Sequence, residues 1–368
     1  MSDFNFLNVD AEEIENNIIS AFEEYTGYTL AISDGRRQFL QGLAYIVVMI
    51  ANAINTTGRN NLLEYATGDA LDELGKLVGV ERFDSEYSTT TLEFNLSDAQ
   101  PTSVKIPKGT RVTPDGVIFF ATDDAIIIPS GELEGTMTAT ATVSGVSGNG
   151  FVAGQINKIV DGVPYVGAVT NTTTSTDGRD IEEDNSYRER IRLAPFSYST
   201  AGAENAYRYL AMSANPNVGD VQVYRASAGN VTIAVVKIDG SLPVEGDNII
   251  NDIVNACSAK TARPLTDEVV AKSATAINST INVSYYIDAD DTARATEIQE
   301  AVAKAVEEYK LWQTTKIGRD INPDRLRKLM LNAGAEQITV NAPIVTEISD
   351  GEVAQFTATT VTYSGISE

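Results

Sequence analysis

The spacing of hydrophobic positions changes character twice along the chain. In the first part it is helical. Ile14, Ile18, Phe22 and Tyr25 recur at helical intervals, and Phe39, Leu43, Ile46, Val47, Ile50 and Ile54 do so at i, i+4, i+7, i+8, i+11 and i+15. Asp34 is placed to cap this second, long helix, and Gly58 marks its end. Leu40, Ala44, Val48 and Ala51 make a second apolar face on the same helix. A helix that is apolar on two faces has to be covered on both. The earlier helix can cover one; the other is left to Leu62, Leu71, Leu74 and Val78 folding back, or to another chain. A short helix capped by Thr67 or Asp69 carries Leu71, Leu74 and Leu77 and stops near Gly79.

From Tyr87 to Thr176 the period becomes two. Leu92, Phe94 and Leu96 alternate with Glu93 and Asn95, and Met137, Ala139, Ala141 and Val143 alternate with threonines. Pro114, Asp115 and Gly116 predict a turn, because proline presets φ and glycine accepts a positive one. Many short strands with glycine-rich punctuation predict a small β-sandwich or barrel. The stretch 171–177 reads as a polar linker and 182–194 as a charged helix leading out of it.

Beyond that, both periods interleave. Ser199 or Thr200 is expected to cap a helix with Ala206, Tyr207, Leu210, Ala211 and Ala214 on one face. A turn at Asn215, Pro216 and Asn217 follows. A strand at 221–224 is expected to pair with 231–238, followed by a helix near 249–259 and a strand near 268–272. A second unit runs from a strand at 281–287 through a helix at 293–309. A further helix is capped by Asn322 and opens on Pro323, where a missing N–H costs nothing. Gly334 ends it, and strands at 337–340 and 355–361 close the unit. The helix–turn–strand runs 203–223 and 323–340 echo each other, as in a structural repeat of permuted order. The expected fold is therefore multidomain α+β. It has an N-terminal helical oligomerisation region (1–86), a central β-sandwich or barrel (87–176), a linker and connector helix (177–200), and two α+β subdomains (201–275 and 276–368).

Charge narrows the partners. The 368 residues include 51 acidic and 27 basic side chains, a net of −24. Such a chain repels nucleic acid and anionic lipid unless a local patch reverses the sign. The best candidate, Arg325, Arg327 and Lys328, stands beside Asp320 and Asp324 and reads as a solvated helix face. No nucleic-acid partner is expected. Positions 38–58 carry no charge and imitate a membrane span, but Gln38, Gln41, Asn52, Asn55, Thr56 and Thr57 interrupt them. The unbroken apolar run 43–51 falls short of the roughly 20 residues a span needs, so no membrane insertion is expected. The first residues have no basic n-region, so no ordinary secretory signal is expected. Asn171 and Asn278 open Asn-X-Ser/Thr matches that mean little without a secretory route. The single Cys257 sits in a helical apolar pattern and reads as a small buried hydrophobe, with no disulfide possible within the chain.

The search for chemistry returns little. With no histidine in the chain, Ser-His-Asp and Cys-His pairs, His-ligated zinc and histidine bases all fall away. No phosphate-cradling glycine loop occurs. Asp288, Asp290 and Asp291 hint at a calcium loop, but Ala293 and Gln299 stand where that pattern requires Gly and Glu. A hairpin end or a helix cap is the better reading. Glu182, Glu183 and Asp184 are carboxylate candidates only because they are acidic. No enzyme activity, cofactor, metal or small-molecule substrate is expected.

Several segments resemble one family. They are 66–79 (ATGDALDELGKLVG), 106–112 (IPKGTRV) with 115–119 (DGVIF), and 145–150 (GVSGNG) with 153–156 (AGQI). To these add Asp184, Arg188 and Arg190 followed by Ser199, Thr200, Ala201 and Gly202, then 264–267 (PLTD) and 317–321 (IGRDI). Together they resemble a J-like baseplate wedge protein of contractile phage tails and tail-derived particles, over about 62–340. The resemblance implies a structural wedge subunit, made and assembled in the bacterial cytoplasm. It would pair with a second copy of itself, a smaller baseplate wedge protein and sheath-initiator or hub proteins. It would link the central hub to the base of the sheath and rearrange on contraction. Phe39, Leu43, Ile46, Val47, Ile50 and Ile54 then become candidates for an inter-subunit helical bundle, and Ser199, Thr200 and Gly202 for a connector or hinge. Two alternatives remain at the level of sequence. A tail-associated cell-wall hydrolase would need a carboxylate pair in a cleft, and a surface adhesin would bind through its β domain. Infectious phage, bacteriocin-like tail and other injection system are not distinguished.

Overall fold

The structure, a computed structural model, describes residues 4–198, 203–227, 229–244, 247–259, 263–264 and 266–367. The chain divides into two compact units, Met1–Val80 with Arg188–Glu368, and Glu81–Tyr187.

The first unit begins with helices. In α1 (Ala11–Thr26) the Asp10 carboxylate accepts from the amides of Glu12 and Glu13, satisfying two donors that the helix cannot use itself, and Gly27 ends it at φ 70°. In α2 (Gly35–Asn60) Asp34 accepts from the Arg36 amide and pairs with the Arg36 guanidinium at 2.7 Å. Gly58, expected as the end, is followed by two more helical residues. In α3 (Gly68–Leu77) Thr67 holds the N-cap position without a side-chain bond. Ile19, Leu30 and Leu40 form a small core with Ile18 and Phe22. Tyr25, expected on the covering face of α1, is instead 92% exposed, and Ile19 does its work.

The second unit is a nearly closed barrel. Its strands are β1 (Tyr87–Leu96), β2 (Val104–Ile106), β3 (Arg111–Thr113), β4 (Phe120–Thr122), β5 (Ile126–Ile128), β6 (Glu134–Ser144), β7 (Lys158–Ile159) and β8 (Val166–Asn171). Six of them make one sheet in the order β7-β3-β4-β6-β1-β8, and β2 pairs with β5. Alternation places Leu92, Phe94, Phe120, Ala139, Val169 and Ile156 in one core. The 114–116 turn forms as expected: the Asp115 carboxylate accepts from the amides of Val117 and Ile118, and Gly116 takes φ 87°.

The stretch 171–177 is not a free linker. Asn171 is buried at the end of β8, and Thr176 exchanges backbone bonds with Thr89. The Asn171 amide oxygen accepts from the Ile156 amide at 2.9 Å. Its nitrogen reaches the carbonyls of Phe151, Val152 and Thr173 at 3.2, 3.0 and 2.8 Å. One side chain thus fastens the glycine-rich segment before β7 to the far edge strand. The charged helix α4 (Asp184–Leu193) starts in this unit.

The rest of the first unit is α+β. It runs through α5 (Glu204–Ala214), β9 (Val218–Ser227), β10 (Asn230–Lys237), α6 (Asn248–Ser258) and β11 (Glu268–Ser273). It continues through β12 (Thr275–Asp288), α7 (Ala295–Thr314), α8 (Pro323–Asn332), β13 (Glu336–Ala342) and β14 (Glu352–Ser367). The capping of α5 differs from expectation. Ala203 holds its N-cap position and has no side-chain acceptor; Ser199 and Thr200, expected at the cap, lie outside the described residues. Asn322 does cap α8, accepting from the Asp324 amide. The Asp288 carboxylate accepts from the Asp290 amide, the cap reading rather than the calcium one.

The two sheets share a layout. In the order β11-β10-β9, the central β10 is antiparallel to β9 and parallel to β11; in β13-β12-β14, the central β12 is antiparallel to β13 and parallel to β14. The helix-plus-edge-strand piece precedes the central strand in the first (α5, β9) and follows it in the second (α8, β13). That is the permuted echo seen in the sequence. The sheets join through Ala234, Val236, Ala274, Ile317 and Val353. At the same joint the buried carboxylate of Asp220 holds Lys316 Nζ at 2.8 Å, Arg208 Nη2 at 3.1 Å and the Ile317 amide at 3.1 Å.

Candidate assembly interface

At 1.5 Å per residue, α2 is about 39 Å long. Its buried residues are Leu40, Ala44, Ala51 and Asn55, which make one narrow face. All six stripe residues, Phe39, Leu43, Ile46, Val47, Ile50 and Ile54, lie on the exposed side, from 38% for Leu43 to 67% for Phe39. Leu71 is buried elsewhere, so the fold-back of Leu62, Leu71, Leu74 and Val78 does not cover the stripe. Sequence reasoning missed two members: Tyr45 and Met49 are also exposed and widen the patch. Their four-residue spacing was the available signal. The centre of the patch carries no charge, although Asn52 and Thr56 are exposed on the same helix.

Polar contacts fix the buried side of the same helix. The Asn55 amide oxygen accepts from the amides of Phe6 and Leu7 at 2.9 and 2.8 Å, and its nitrogen donates to the Leu7 carbonyl at 2.9 Å. Phe6 lies so close to Gly58 that a Cβ there would fall 2.4 Å from its ring. Gln41 donates to Glu15 on α1 at 2.8 Å. Among the described residues α2 is the one helix long and apolar enough to cross a membrane, by length and composition, with a mean hydropathy of 1.5 in its most apolar window.

The other sequence-predicted residues separate by role. Ser199, Thr200 and Gly202 lie outside the described residues. Arg188, from the signature before them, donates to the carbonyls of Leu63 and Ala66 at 2.8 and 2.7 Å, and Arg192 pairs with Glu64 at 2.8 Å. In the barrel unit Asp184 pairs with Arg82 at 2.8 Å, and the Glu182 carboxylate accepts from the Phe83 amide at 3.1 Å. Two of the three acids considered for hydrolysis are therefore engaged, one by a guanidinium and one by a backbone amide.

Among the described residues no group of histidine, cysteine and acidic side chains is arranged to hold a metal. A 520 Å³ groove beside β9 and β10 is lined by Glu204, Tyr207, Arg225 and Asp267. There the Tyr207 hydroxyl donates to the Asp267 carboxylate at 2.8 Å, and burial together with that carboxylate pushes its pKa up. A phenol held protonated in this way is a poor base.

Four descriptions from one family match successive parts of the chain. The baseplate J-like protein N-terminal domain matches residues 33–84, the barrel domain 91–178, the central domain 199–273 and the C-terminal domain 281–364. A curated protein of Bacillus subtilis (strain 168), "Uncharacterized protein YqbT", is 24% identical over 190 residues. These cover 52% of this chain and 49% of that protein, so the chain matches about half of the relative's length. A solved structure, "Cryo-EM structure of the anti-feeding prophage (AFP) baseplate, 6-fold symmetrised", is similar at TM-score 0.45 and 14% identity, covering 95% of this chain and 90% of that one. Since the N-terminal, barrel, central and C-terminal matches succeed one another over most of its length, the chain belongs to the baseplate J-like protein family.

Proposed function

We propose that the chain is a wedge subunit whose N-terminal helices assemble with other chains, joining the hub of a contractile tail to the base of its sheath. The observation that carries this reading is the uncovered stripe of α2. Six half-exposed side chains at helical spacing on a helix already anchored along its other face are suited to a helical bundle. The partners are a second copy of the chain, a smaller wedge protein and sheath-initiator or hub proteins. Bilayer insertion is the poorer reading. Asn55 and Gln41 are both engaged on this helix, and one face already packs on α1. The connector 199–202 is the proposed hinge for rearrangement on contraction.

Burying the exposed half of each isoleucine is worth about 1 kcal/mol, and burying a lysine there instead costs more. The double variant Ile46→Lys, Ile50→Lys should therefore weaken association by at least ~100-fold. Co-expression with its neighbouring tail genes, followed by electron microscopy, should show folded subunit and no complete baseplates. Normal baseplates from the double variant would refute the interface. So would flotation of the wild-type chain with phosphatidylglycerol vesicles in preference to binding its co-expressed partners.

A further inference from the structure

Trp312 is the chain's single tryptophan and lies in the last turns of α7. Two guanidiniums stand over its ring: Arg319 Cζ is 4.0 Å from the centroid and Arg325 Cζ 4.9 Å. The two positive charges are therefore within about 9 Å of each other and repel. Arg319 has a role in the fold, because Nη1 also donates to the Trp312 carbonyl near the helix C-terminus, where a cation is favoured. Arg325, on α8, has none of this. Its Nε is buried and makes no hydrogen bond.

What sets the pair apart is the lack of a carboxylate in direct contact; Asp220 acts on Arg319 only at a distance. Neighbouring bases have carboxylates: Lys310 has Glu307 at 3.3 Å, Lys316 has Asp220 at 2.8 Å and Arg327 has Asp324 at 2.8 Å. Among the described residues neither Arg319 nor Arg325 has an acidic partner, in a chain where acids outnumber bases 51 to 27. Burial pushes the pKa of Arg319 down; Asp220 opposes this, and the charge of Arg325 adds to it. Ring contact alone does not call for this arrangement, since one guanidinium suffices to cap α7. A second, unpaired one adds repulsion and an orphaned donor.

We infer that Arg319 and Arg325, held over Trp312, form a docking site for a carboxylate-bearing acidic segment of a partner protein. A guanidinium stacked on a ring can still pair with a carboxylate through its other N–H groups; with Arg325 Nε buried and Arg319 Nη1 taken by the Trp312 carbonyl, those are the two terminal nitrogens of Arg325 and Nη2 of Arg319. A short acidic segment meets only the two guanidiniums. A nucleic acid, with its evenly spaced charges, would also meet Asp320 and Asp324 and the general acidity of the chain. This site is formed by α7, α8 and the segment between them and is independent of the α2 stripe.

Because Trp312 is alone, its fluorescence reports on the site directly. The full chain is titrated at low salt with an acetylated tetraglutamate peptide, with tetraglutamine as control. A saturable change with tetraglutamate, weakened by added salt and absent with tetraglutamine, is expected. Arg325→Gln should weaken binding at least tenfold. Arg325→Lys, which keeps the charge but not the fork, should weaken it severalfold and carries the comparison if the glutamine variant loses its circular dichroism. No saturable change with tetraglutamate, an affinity unaltered in both variants, or tighter binding of a thymidine oligonucleotide than of the peptide would overturn the inference.

Discussion

Asn171→Ala should open one side of the barrel. The wild-type side chain is buried and occupied at every polar atom: its oxygen takes the Ile156 amide, and its two N–H groups are shared among three carbonyls. Truncation leaves the buried Ile156 amide without a partner, a cost of about 1–3 kcal/mol, and removes two net hydrogen bonds of about 1 kcal/mol each. Partial relaxation and water entry return some of this, so a loss of about 3 kcal/mol is expected. The chain has two units, so a single unfolding transition is the wrong readout. Amide hydrogen exchange is local. A loss of 3 kcal/mol corresponds to exchange at Ile156 on the order of a hundredfold faster. Asn171→Asp should be worse at neutral pH, because it aims a carboxylate at three carbonyl oxygens. That environment raises the carboxyl pKa in the folded state, so the folded state binds the extra proton and the penalty grows as pH rises above the unfolded carboxylate value. The Asp variant should therefore approach the Ala variant in acid. Exchange at Ile156 within threefold of wild type in Asn171→Ala would refute the staple.

Three further outcomes follow from buried or paired groups. Asp220→Ala should cost about 2–3 kcal/mol and lower the melting temperature of the α+β part: it orphans the Ile317 amide, while Arg208 and Lys316, being partly exposed, recover water; a change under 1 kcal/mol would count against the joint. The bidentate contact from Arg111 holds the Asp161 carboxyl well down, to about 2. Its contribution is present above the unfolded value near 4 and is lost as pH falls towards 2, so Asp161→Asn should flatten the acid end of a circular-dichroism titration of the barrel. Burial pushes the Cys257 thiol up to about 12, so a thiol reagent at neutral pH should modify it only as the chain unfolds, with labelling tracking denaturant; fast labelling of the native chain would refute its burial.

The fold class was legible because each part has a distinct hydrophobic period. Leu92, Phe94 and Leu96 alternate as strand residues buried on one face, and the stripe of α2 keeps its 3.6-residue spacing for six positions. What was not legible depended on contacts distant in sequence. Asn171 sits in a run of threonines and serines that looks like a linker, and only the approach of 151–156 makes it a core residue. Tyr25 fits the helical pattern of α1, yet the turn after Gly27 leaves it in solvent and brings Leu30 onto Ile19 instead. The first turn of α5 forms on the Ala203 carbonyl, which accepts from Ala206 and Tyr207, a position with no side-chain oxygen to announce it.

The basic run at 325–328 shows why charge read along a line can mislead. Arg325 and Arg327 are two residues apart, and on a helix that turns them about 200° from each other, so they cannot act as one patch. Arg327 reaches back one turn to Asp324 and is neutralised, as a solvated face would be. Arg325 faces the other way and meets Arg319, six positions earlier and outside the helix, over a ring contributed by α7. The two arginines of the patch in the sequence are therefore one paired with an acid and one half of a different pair. The same holds for α2: its apolar residues counted together imitate a membrane span, but divided by face they give a side packed on α1 and a side still free. In both places what a side chain meets depends on which side chains share a face after folding, and composition averages that information away.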